Sequence, residues 1–523
     1  MCLPRQAQVQ GCIVNNAIKK SLQRLLNLSA ILMNKSDTNR FGWLLLTLFT
    51  LLLSKPTLAK DHFLTIGGGY LPSGNQASLE RNVLYFQRTL EDRFEMGFEH
   101  DIFFADGNDA GKDLQVMDRD SVPEPNRMMA EFFGTQRYLG VSYRDHDIEN
   151  VRDSTKPENL KKWFKEEGTK LNSGDRLFIY VTSHGNGSSD KKQPHNTTIA
   201  TWGRSSLSVK EMAESLDLLN EEVTIVVVMV QCHAGGFARL MYQDADPEKG
   251  ISPQRRVGFF ATVHDRPAAG CTPDINEANY AEYSSYFIAA LSGIDRLGQT
   301  IDQPDYDGDG KISFEEAHAY VILTADTIDF PIKTSDIFLD EFSEFGEEES
   351  DLLADDLPYD QVLALANPVE KEVLEGLSKQ LKLEGNNRLV DAYNVLHPEK
   401  KEGEKRRPRQ PPEREKLRMR IREDLRKKWP ELSNLLNPTS IELLTTRCEE
   451  FMDAVKTHDS FEKYSELKEK AKNELNDTER KVKYDRFLRV ADHIILRENL
   501  KRKNDEARLQ EFNDLVKAEA SFL

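Results

Sequence analysis

RLFIYVTSHGNG, residues 176–187, and VTIVVVMVQCHAGG, residues 223–236, decide how this chain folds. Each stretch contains an apolar run that is continuous rather than alternating, which is typical of strands covered on both faces. Each run ends in a reactive side chain, His184 in the first stretch and Cys232 in the second. The two stretches therefore predict buried parallel strands whose carboxyl ends carry an imidazole and a thiol.

Apolar runs alternate with amphipathic stretches from Asp61 to about Leu291. This pattern predicts an α/β domain with a mostly parallel sheet flanked by helices. Ser208 and Glu211 form a capping box before one of the helices. We expect the stretch 107–143, which has no clear period, to leave the sheet as a long excursion near the site. The predicted strands are HFLTIGGG, HDIFFADG, RLFIYVTS, VTIVVVMVQ and RVGFFATV, and the predicted helices are ASLERNVLYFQRTLEDRF, KPENLKKWFKEEGTKL and SVKEMAESLDLL.

The ends of these two strands carry the groups needed for acyl transfer. Adjacent parallel strands lie about 4.8 Å apart, so side chains at matching ends can face one substrate. Cys232 would attack a carbonyl carbon while His184 acts as general base and acid. The backbone N–H groups of Gly185 and Cys232 would stabilise the oxyanion. The alternative is that Cys232 is a small buried hydrophobe and His184 a polar turn residue.

These motifs resemble those of the clan that contains legumains, caspases, metacaspases and gingipains. GDRLFIYVTSHG is similar to the histidine segment of the legumain family, and RVGFFATVHDRPAAGCTPD resembles the strand and specificity loop after its nucleophile. The resemblance covers roughly Phe63 to Leu291. It implies a caspase-like sheet, a thioester intermediate, endopeptidase or transpeptidase activity, Cys232 as the nucleophile and His184 as the base.

The sequence departs from the legumain pattern at two places. His233 follows the nucleophile where legumains have an acidic residue, and no arginine of the Asn-selecting pocket is present near 74–76. Asp274 matches a pocket acid of the family. A carboxylate without an arginine beside it suits a basic P1 side chain, so we expect cleavage after Arg or Lys. Alternatively, Asp274 is a solvated loop carboxylate. No CxxC or HxxxH spacing accompanies His233, which argues against zinc.

A second motif, DYDGDGKISFEE, matches the EF-hand calcium loop from its first to its twelfth position. Gly310 lies at the sharp turn, and Pro304 makes an entering helix doubtful. We expect Ca²⁺ to act as a structural clamp beside the core; the alternative is an acidic surface turn with chance spacing. The expected ligands are Asp305, Asp307, Asp309, Lys311 through its backbone carbonyl, Ser313 and Glu316.

Composition and charge limit the other functions that the chain could have. A net charge of −18 repels phosphate backbones, so we do not expect nucleic-acid binding. The short apolar run FGWLLLTLFTLLL, followed by Ala59, reads as a signal peptide, which predicts export to the periplasm or outside the cell. An uncleaved N-terminal anchor is the alternative, and Met33 could be the true start. After cleavage no stable membrane span is expected, and at least one of Cys232, Cys271 and Cys448 must be unpaired within the chain.

The chain divides by composition into six parts. They are an N-terminal extension with the signal peptide (1–59), the peptidase-like domain (60–300), the calcium loop with its helix (301–345), an acidic helical connector (346–397), a basic Pro-rich linker (398–415) and a charged helical C-terminal region (416–523).

We predict a cysteine endopeptidase acting on protein or peptide substrates. The C-terminal region could be an intramolecular prodomain, with autoprocessing between about His397 and Glu415. Two alternatives remain open. One is a catalytically silent scaffold that binds a partner through the C-terminal helices, and the other is a peptide ligase that uses the same residues.

Overall fold

A seven-stranded sheet forms the centre of the molecule in the computed structural model. The structure describes residues 59–94, 98–347, 350–398, 411–472 and 475–523. The strand order is β12-β11-β10-β6-β1-β2-β5, and neighbours run parallel except for β12 against β11. These strands are β1 (Asp61–Gly68), β2 (Glu99–Phe104), β5 (Val151–Asp153), β6 (Arg176–Ser183), β10 (Thr224–Met229), β11 (Arg256–Phe260) and β12 (Ile332–Lys333).

The expected α/β architecture with a mostly parallel sheet and flanking helices is confirmed. All five predicted strands are present, and the edge strands β5 and β12 are additional. Continuous apolar runs arise because alternate residues of one strand enter two different cores. In β6, Phe178 and Tyr180 pack on one side of the sheet, whereas Ile179 and Val181 pack on the other.

The first eight α-helices lie between residues 77 and 365. Ser208 and Glu211 form the expected capping box at α4. These helices are α1 (Ala77–Arg93), α2 (Glu124–Phe132), α3 (Pro157–Glu166), α4 (Val209–Leu216), α5 (Tyr283–Ser292), α6 (Phe314–Thr324), α7 (Thr334–Phe342) and α8 (Tyr359–Leu365). One face of the sheet contacts α3 and α4, and the other contacts α1, α5 and α6.

The excursion between β2 and β5 contains a hairpin and a helix. The hairpin is β3 (Leu114–Met117) paired with β4 (Val141–Arg144), and α2 lies between its strands. A further three-stranded sheet, β7 (Gly185–Asn186), β8 (Thr198–Thr201) and β9 (Ser205–Ser208), follows the end of β6. Both extra sheets therefore lie beyond the carboxyl ends of the central strands.

The C-terminal helices contribute to three apolar clusters. They are α9 (Pro368–Leu381), α10 (Arg388–Leu396), α11 (Glu413–Lys428), α12 (Pro438–Glu442), α13 (Cys448–Lys456), α14 (Phe461–Lys472), α15 (Asp477–Arg502) and α16 (Glu506–Glu519). One cluster joins α9, α10 and α15 to α6 and α8. Helices α11, α13 and α14 share an apolar cluster with α2 of the excursion. In contrast, Phe512 and Leu515 of α16 enter the main core with β11 and α5. The last two helices are thus part of the core rather than a detached arm.

Two sequence predictions fall largely outside the described residues. These are the signal peptide within 1–59 and the proposed cleavage region between His397 and Glu415, of which 399–410 is not described. Within the described ranges, no helix combines the length and the apolar character that crossing a bilayer requires.

Candidate active site

His184 and Cys232 follow neighbouring parallel strands at matching positions. Met229 of β10 pairs with Val181 of β6, and the N–H of Val230 donates to the carbonyl of Val181. His184 and Cys232 each lie three residues beyond the Met229–Val181 pair. The structure thus brings the two residues to the same sheet edge, as the sequence predicts.

The backbones of the two strand ends approach each other closely at Gly185. A Cβ atom at this position would lie 2.0 Å from the carbonyl oxygen of Cys232, so only glycine fits. The N–H of Ala200 in β8 donates to the carbonyl of His184. Because hydrogen-bonding groups alternate in direction along an antiparallel strand, the N–H of Gly185 points away from β8. The N–H of Cys232 has no acceptor within the described residues. Neither predicted oxyanion donor, the N–H of Gly185 or that of Cys232, is therefore used in these backbone hydrogen bonds.

The imidazole of His184 is held by a backbone carbonyl. Nε2 donates to the carbonyl oxygen of Gly74 at 2.9 Å, which leaves Nδ1 as the nitrogen with a free lone pair. The ring of Tyr70 packs edge-on against the imidazole, with ring centroids 5.5 Å apart. Burial lowers the pKa of His184 below its usual value. The neutral, proton-accepting form is therefore favoured.

The thiol of Cys232 lies against a loop formed by residues 268–271. The N–H of Ala268 donates to Sγ at 3.3 Å, and Sγ lies 3.8 Å from the carbonyl oxygen of the same residue. The next N–H, that of Ala269, donates to the buried carboxylate of Asp329 at 2.6 Å. By contrast, burial of its thiol raises the pKa of Cys271 to about 12, so that sulfur stays protonated. This protonation argues against Cys271 as a nucleophile.

His233 has a structural role in the turn after the nucleophile. It adopts a left-handed backbone with φ 61°, which is uncommon for a residue other than glycine. Its N–H donates to the carbonyl of Arg266, and Nδ1 lies 2.8 Å from the carbonyl of His264. These contacts hold the turn that follows Cys232.

A buried polar network behind the site was missed at the sequence level. Asn75 is fully buried, and its Oδ1 accepts from the N–H of Gly69 at 3.0 Å. Its Nδ2 donates to the side chain and the carbonyl of Asp113, at 3.1 and 3.2 Å. Because Gly74 precedes Asn75, this network fixes the carbonyl that orients His184. No periodicity connects residues 75 and 113, so sequence pattern could not have revealed it.

Asp106 and His146 lie beside Asp113, with their ligand-type atoms within 4.8 Å of one another. Burial and the neighbouring Asp113 raise the pKa of Asp106 to about 6. Both ring nitrogens of His146 are already bonded, Nε2 to the carbonyl of Gly107 and Nδ1 to the N–H of Ile148. The imidazole is thus not free to bind a metal.

Asp274 follows the loop that carries Cys271. It bridges to Met117 of β3, so the excursion and the predicted specificity loop meet there. One carboxylate oxygen accepts from the N–H of Asn276 at 3.0 Å, and the other accepts from Nδ2 of Asn279 at 2.9 Å. The side chain is partly exposed. Asp274 thus caps its own turn at the edge of the site.

The acidic loop brings together three of its six predicted ligands. The carboxylates of Asp305, Asp307 and Asp309 converge within 4.8 Å and are exposed. Glu316 is buried, and its oxygens accept from the N–H groups of Tyr306, Asp307 and Ser313 and from the hydroxyl of Ser313. The side chain of Lys311 lies over the ring of Phe522. No helix ends directly before the loop in the described chain, since α5 ends at Ser292.

Comparisons with known proteins add little to this picture. No family model matches the chain, and no curated protein is similar to it in sequence. Among solved structures, protein GSU0716 from Geobacter sulfurreducens aligns with a TM-score of 0.29 and 9% identity. The alignment covers 52% of this chain and 93% of that chain. A likeness of this level assigns neither a fold family nor an activity.

Proposed function

We propose that the protein is a cysteine endopeptidase of the caspase and legumain kind. The observation that carries the proposal is the matched position of His184 and Cys232 at the ends of β6 and β10. A thiol and a neutral imidazole at one sheet edge, with free backbone N–H groups beside them, are the groups that acyl transfer requires.

In the proposed reaction, Nδ1 of His184 accepts the thiol proton and Sγ of Cys232 attacks the scissile carbonyl carbon. The N–H groups of Gly185 and Cys232 stabilise the resulting oxyanion. The protonated imidazole then gives its proton to the leaving amine as the C–N bond breaks, which leaves a thioester on Cys232. Attack by water, assisted by the same imidazole, releases the acid and restores the thiol.

We propose Arg or Lys as the preferred P1 residue, with Asp274 as the pocket carboxylate. Support comes from the bridge between Asp274 and Met117, which places this carboxylate where the excursion meets the loop behind Cys232. A panel of fluorogenic Arg, Lys, Asn and Asp substrates tests this proposal. Fastest cleavage after Asn would contradict it, as would unchanged Arg preference in Asp274→Asn.

Calcium is proposed as a structural ion at the acidic loop. The three convergent carboxylates fit a hard cation that prefers oxygen ligands. Glu316 would have to exchange some backbone contacts for the ion. The exit of the loop is tied to the end of the chain, because the N–H of Phe314 donates to the carbonyl of Ser521. An ion there would hold α6 against the C-terminal residues.

We also propose that the apolar run before Ala59 acts as a signal peptide and directs export of the protein. The presence of both His184 and Cys232 at neighbouring strand ends favours the endopeptidase over a silent scaffold, whereas ligation would use the same residues. Labelling with an acyloxymethyl ketone probe, which alkylates an activated thiolate, tests the enzyme assignment. Hydrolysis and ligation are distinguished by mass analysis of products in the presence of an added amine nucleophile.

A further inference from the structure

A cavity of about 420 Å³ lies among α6, α7, α9, α15 and α16. Its volume is within the range of small-molecule sites in proteins. Neither His184 nor Cys232 lines it, so it is separate from the candidate active site. Much of the wall is apolar, with side chains that include Ala319, Ile322, Leu339, Val369, Val373 and Phe512.

One wall residue, His318, has an unpaired ring nitrogen. The residue is only 2% exposed, and its Nδ1 lies 2.7 Å from the hydroxyl of Tyr283. A phenol is the stronger donor and an imidazole nitrogen the stronger acceptor, so Tyr283 donates to Nδ1. Nε2 of His318 then carries the hydrogen and has no partner. His318 lines the cavity, and Nε2 is its unpaired ring nitrogen. An unpaired buried donor is destabilising, and a ligand that accepts from it removes that penalty.

A second wall residue, Arg486, contributes a buried positive charge. Its guanidinium donates six hydrogen bonds, all to backbone carbonyls or to the hydroxyl of Thr327. It forms no ion pair with a carboxylate in the part of the chain that the structure describes. Burial lowers its pKa to about 10, so the group stays charged at neutral pH.

Each of the other charged groups in the wall has an oppositely charged side chain within 4 Å, including Arg489 with Asp340 and Lys501 with Glu498. Lys333 contacts Glu519 and Glu315 at 2.9 and 3.3 Å. His493 contacts Asp336 at 3.2 Å, and Arg497 pairs with Glu370. Thus Arg486 is the wall cation whose charge has no carboxylate in direct contact. Because Arg486 is a single positive charge without a carboxylate in direct contact, the cavity suits a ligand with a single negative charge.

We propose that this cavity binds a monocarboxylate with an unbranched apolar body, in the manner of a medium-chain fatty acid. A carboxylate oxygen accepts from Nε2 of His318, in the field of Arg486, and the apolar body lies against Ile322, Val373 and Phe512. The ligand contacts α6 of the core together with α9, α15 and α16. Binding therefore holds the C-terminal helices against the core and raises the stability of the folded state.

Calorimetric titration of the full chain with octanoate, decanoate and dodecanoate, below their aggregation limits, tests this inference. Decanol provides a control with the same apolar body and no charge. We expect one saturable site and binding of decanoate at least ten-fold tighter than of decanol. Absence of saturable heat with all three acids, or equal binding of decanol, would overturn the inference without any variant.

Two variants separate the head-group contact from general effects on folding. His318→Phe keeps an aromatic ring but removes the donor, and we expect at least a ten-fold loss of decanoate affinity. His195→Phe changes a histidine that does not line this cavity and should leave the affinity unchanged. Unaltered decanoate binding by folded His318→Phe would contradict the assigned contact. None of these outcomes depends on peptidase activity.

Discussion

Nε2 of His184 lies 2.9 Å from the carbonyl oxygen of Gly74, so a loop backbone orients the candidate base. The loop is held in turn by Asn75, whose side chain bonds Gly69 and Asp113. The buried side-chain amide of Asn75 therefore controls, through the adjacent Gly74, where the imidazole of His184 points. The orientation of the His184 imidazole thus depends on polar contacts made by its neighbours in the loop.

Replacing Asn75 by alanine should slow the reaction of Cys232 with an acyloxymethyl ketone by about 10- to 100-fold, because the Gly74 carbonyl loses its support and the base is misplaced. The second-order labelling rate is the measurement. Asn434→Ala, which changes an exposed asparagine, serves as the control and should label at the parent rate. An Asn75→Ala protein that is folded and labels normally would exclude this positioning role.

The dependence of labelling on pH reports the state of His184. Burial lowers the pKa of this group, so the imidazole remains neutral to a lower pH than a free histidine of pKa about 6.5. Since only the neutral ring accepts the thiol proton, labelling should fall on acidification with a midpoint below about 6.5. A midpoint above that value would show that the charged form is favoured, contrary to the buried environment.

Calcium should bind the acidic loop and stabilise the chain. Titration calorimetry of the parent protein should give a saturable heat, with loss of binding in Asp305→Asn and Asp309→Ala because each removes an oxygen ligand. Asp190→Asn, on an exposed turn elsewhere, is a matched control that should bind as the parent does. No heat in the parent protein would remove calcium from the proposal.

Cleavage between His397 and Glu415 should leave the two pieces associated. Leu496 and Leu500 of α15 and Phe512 and Leu515 of α16 are buried in the main core, so the C-terminal piece cannot leave without exposing them. Incubation with calcium should give two bands under denaturing conditions and one peak of unchanged size in gel filtration. Release of the C-terminal piece on cutting would contradict this packing, and an uncut chain would count against autoprocessing.

The strands were predictable because burial on both faces leaves a continuous apolar run. The run from Val226 to Val228 predicts β10 in this way. Val226 and Val228 enter the core on one side of the sheet, and Val227 enters the core on the other side. The edge strands β5 and β12 have three and two residues, too few to carry any pattern. The pairing of His184 with Cys232 was predictable because consecutive strands of an α/β sheet often lie side by side.

The placement of the C-terminal helices was not predictable from composition. Helix α15 is highly charged in sequence, which favours an exposed arm, yet Arg486 and His493 are buried in it. Two contacts to residues far away in the chain make that burial possible. Arg486 donates to the backbone carbonyl of Asp329, and His493 contacts the carboxylate of Asp336. Charge alone could not show this, because a buried charge is recognised only through its partners.

The most direct measurement is labelling of the parent protein, Cys232→Ala, His184→Ala and Cys271→Ala with an acyloxymethyl ketone probe, followed by mass mapping of the modified residue. The proposed chemistry predicts one label on Cys232 in the parent and in Cys271→Ala. It also predicts no label in Cys232→Ala and a strongly reduced rate in His184→Ala. Labelling that persists in Cys232→Ala, or an unchanged rate in His184→Ala, would contradict the assignment of this pair.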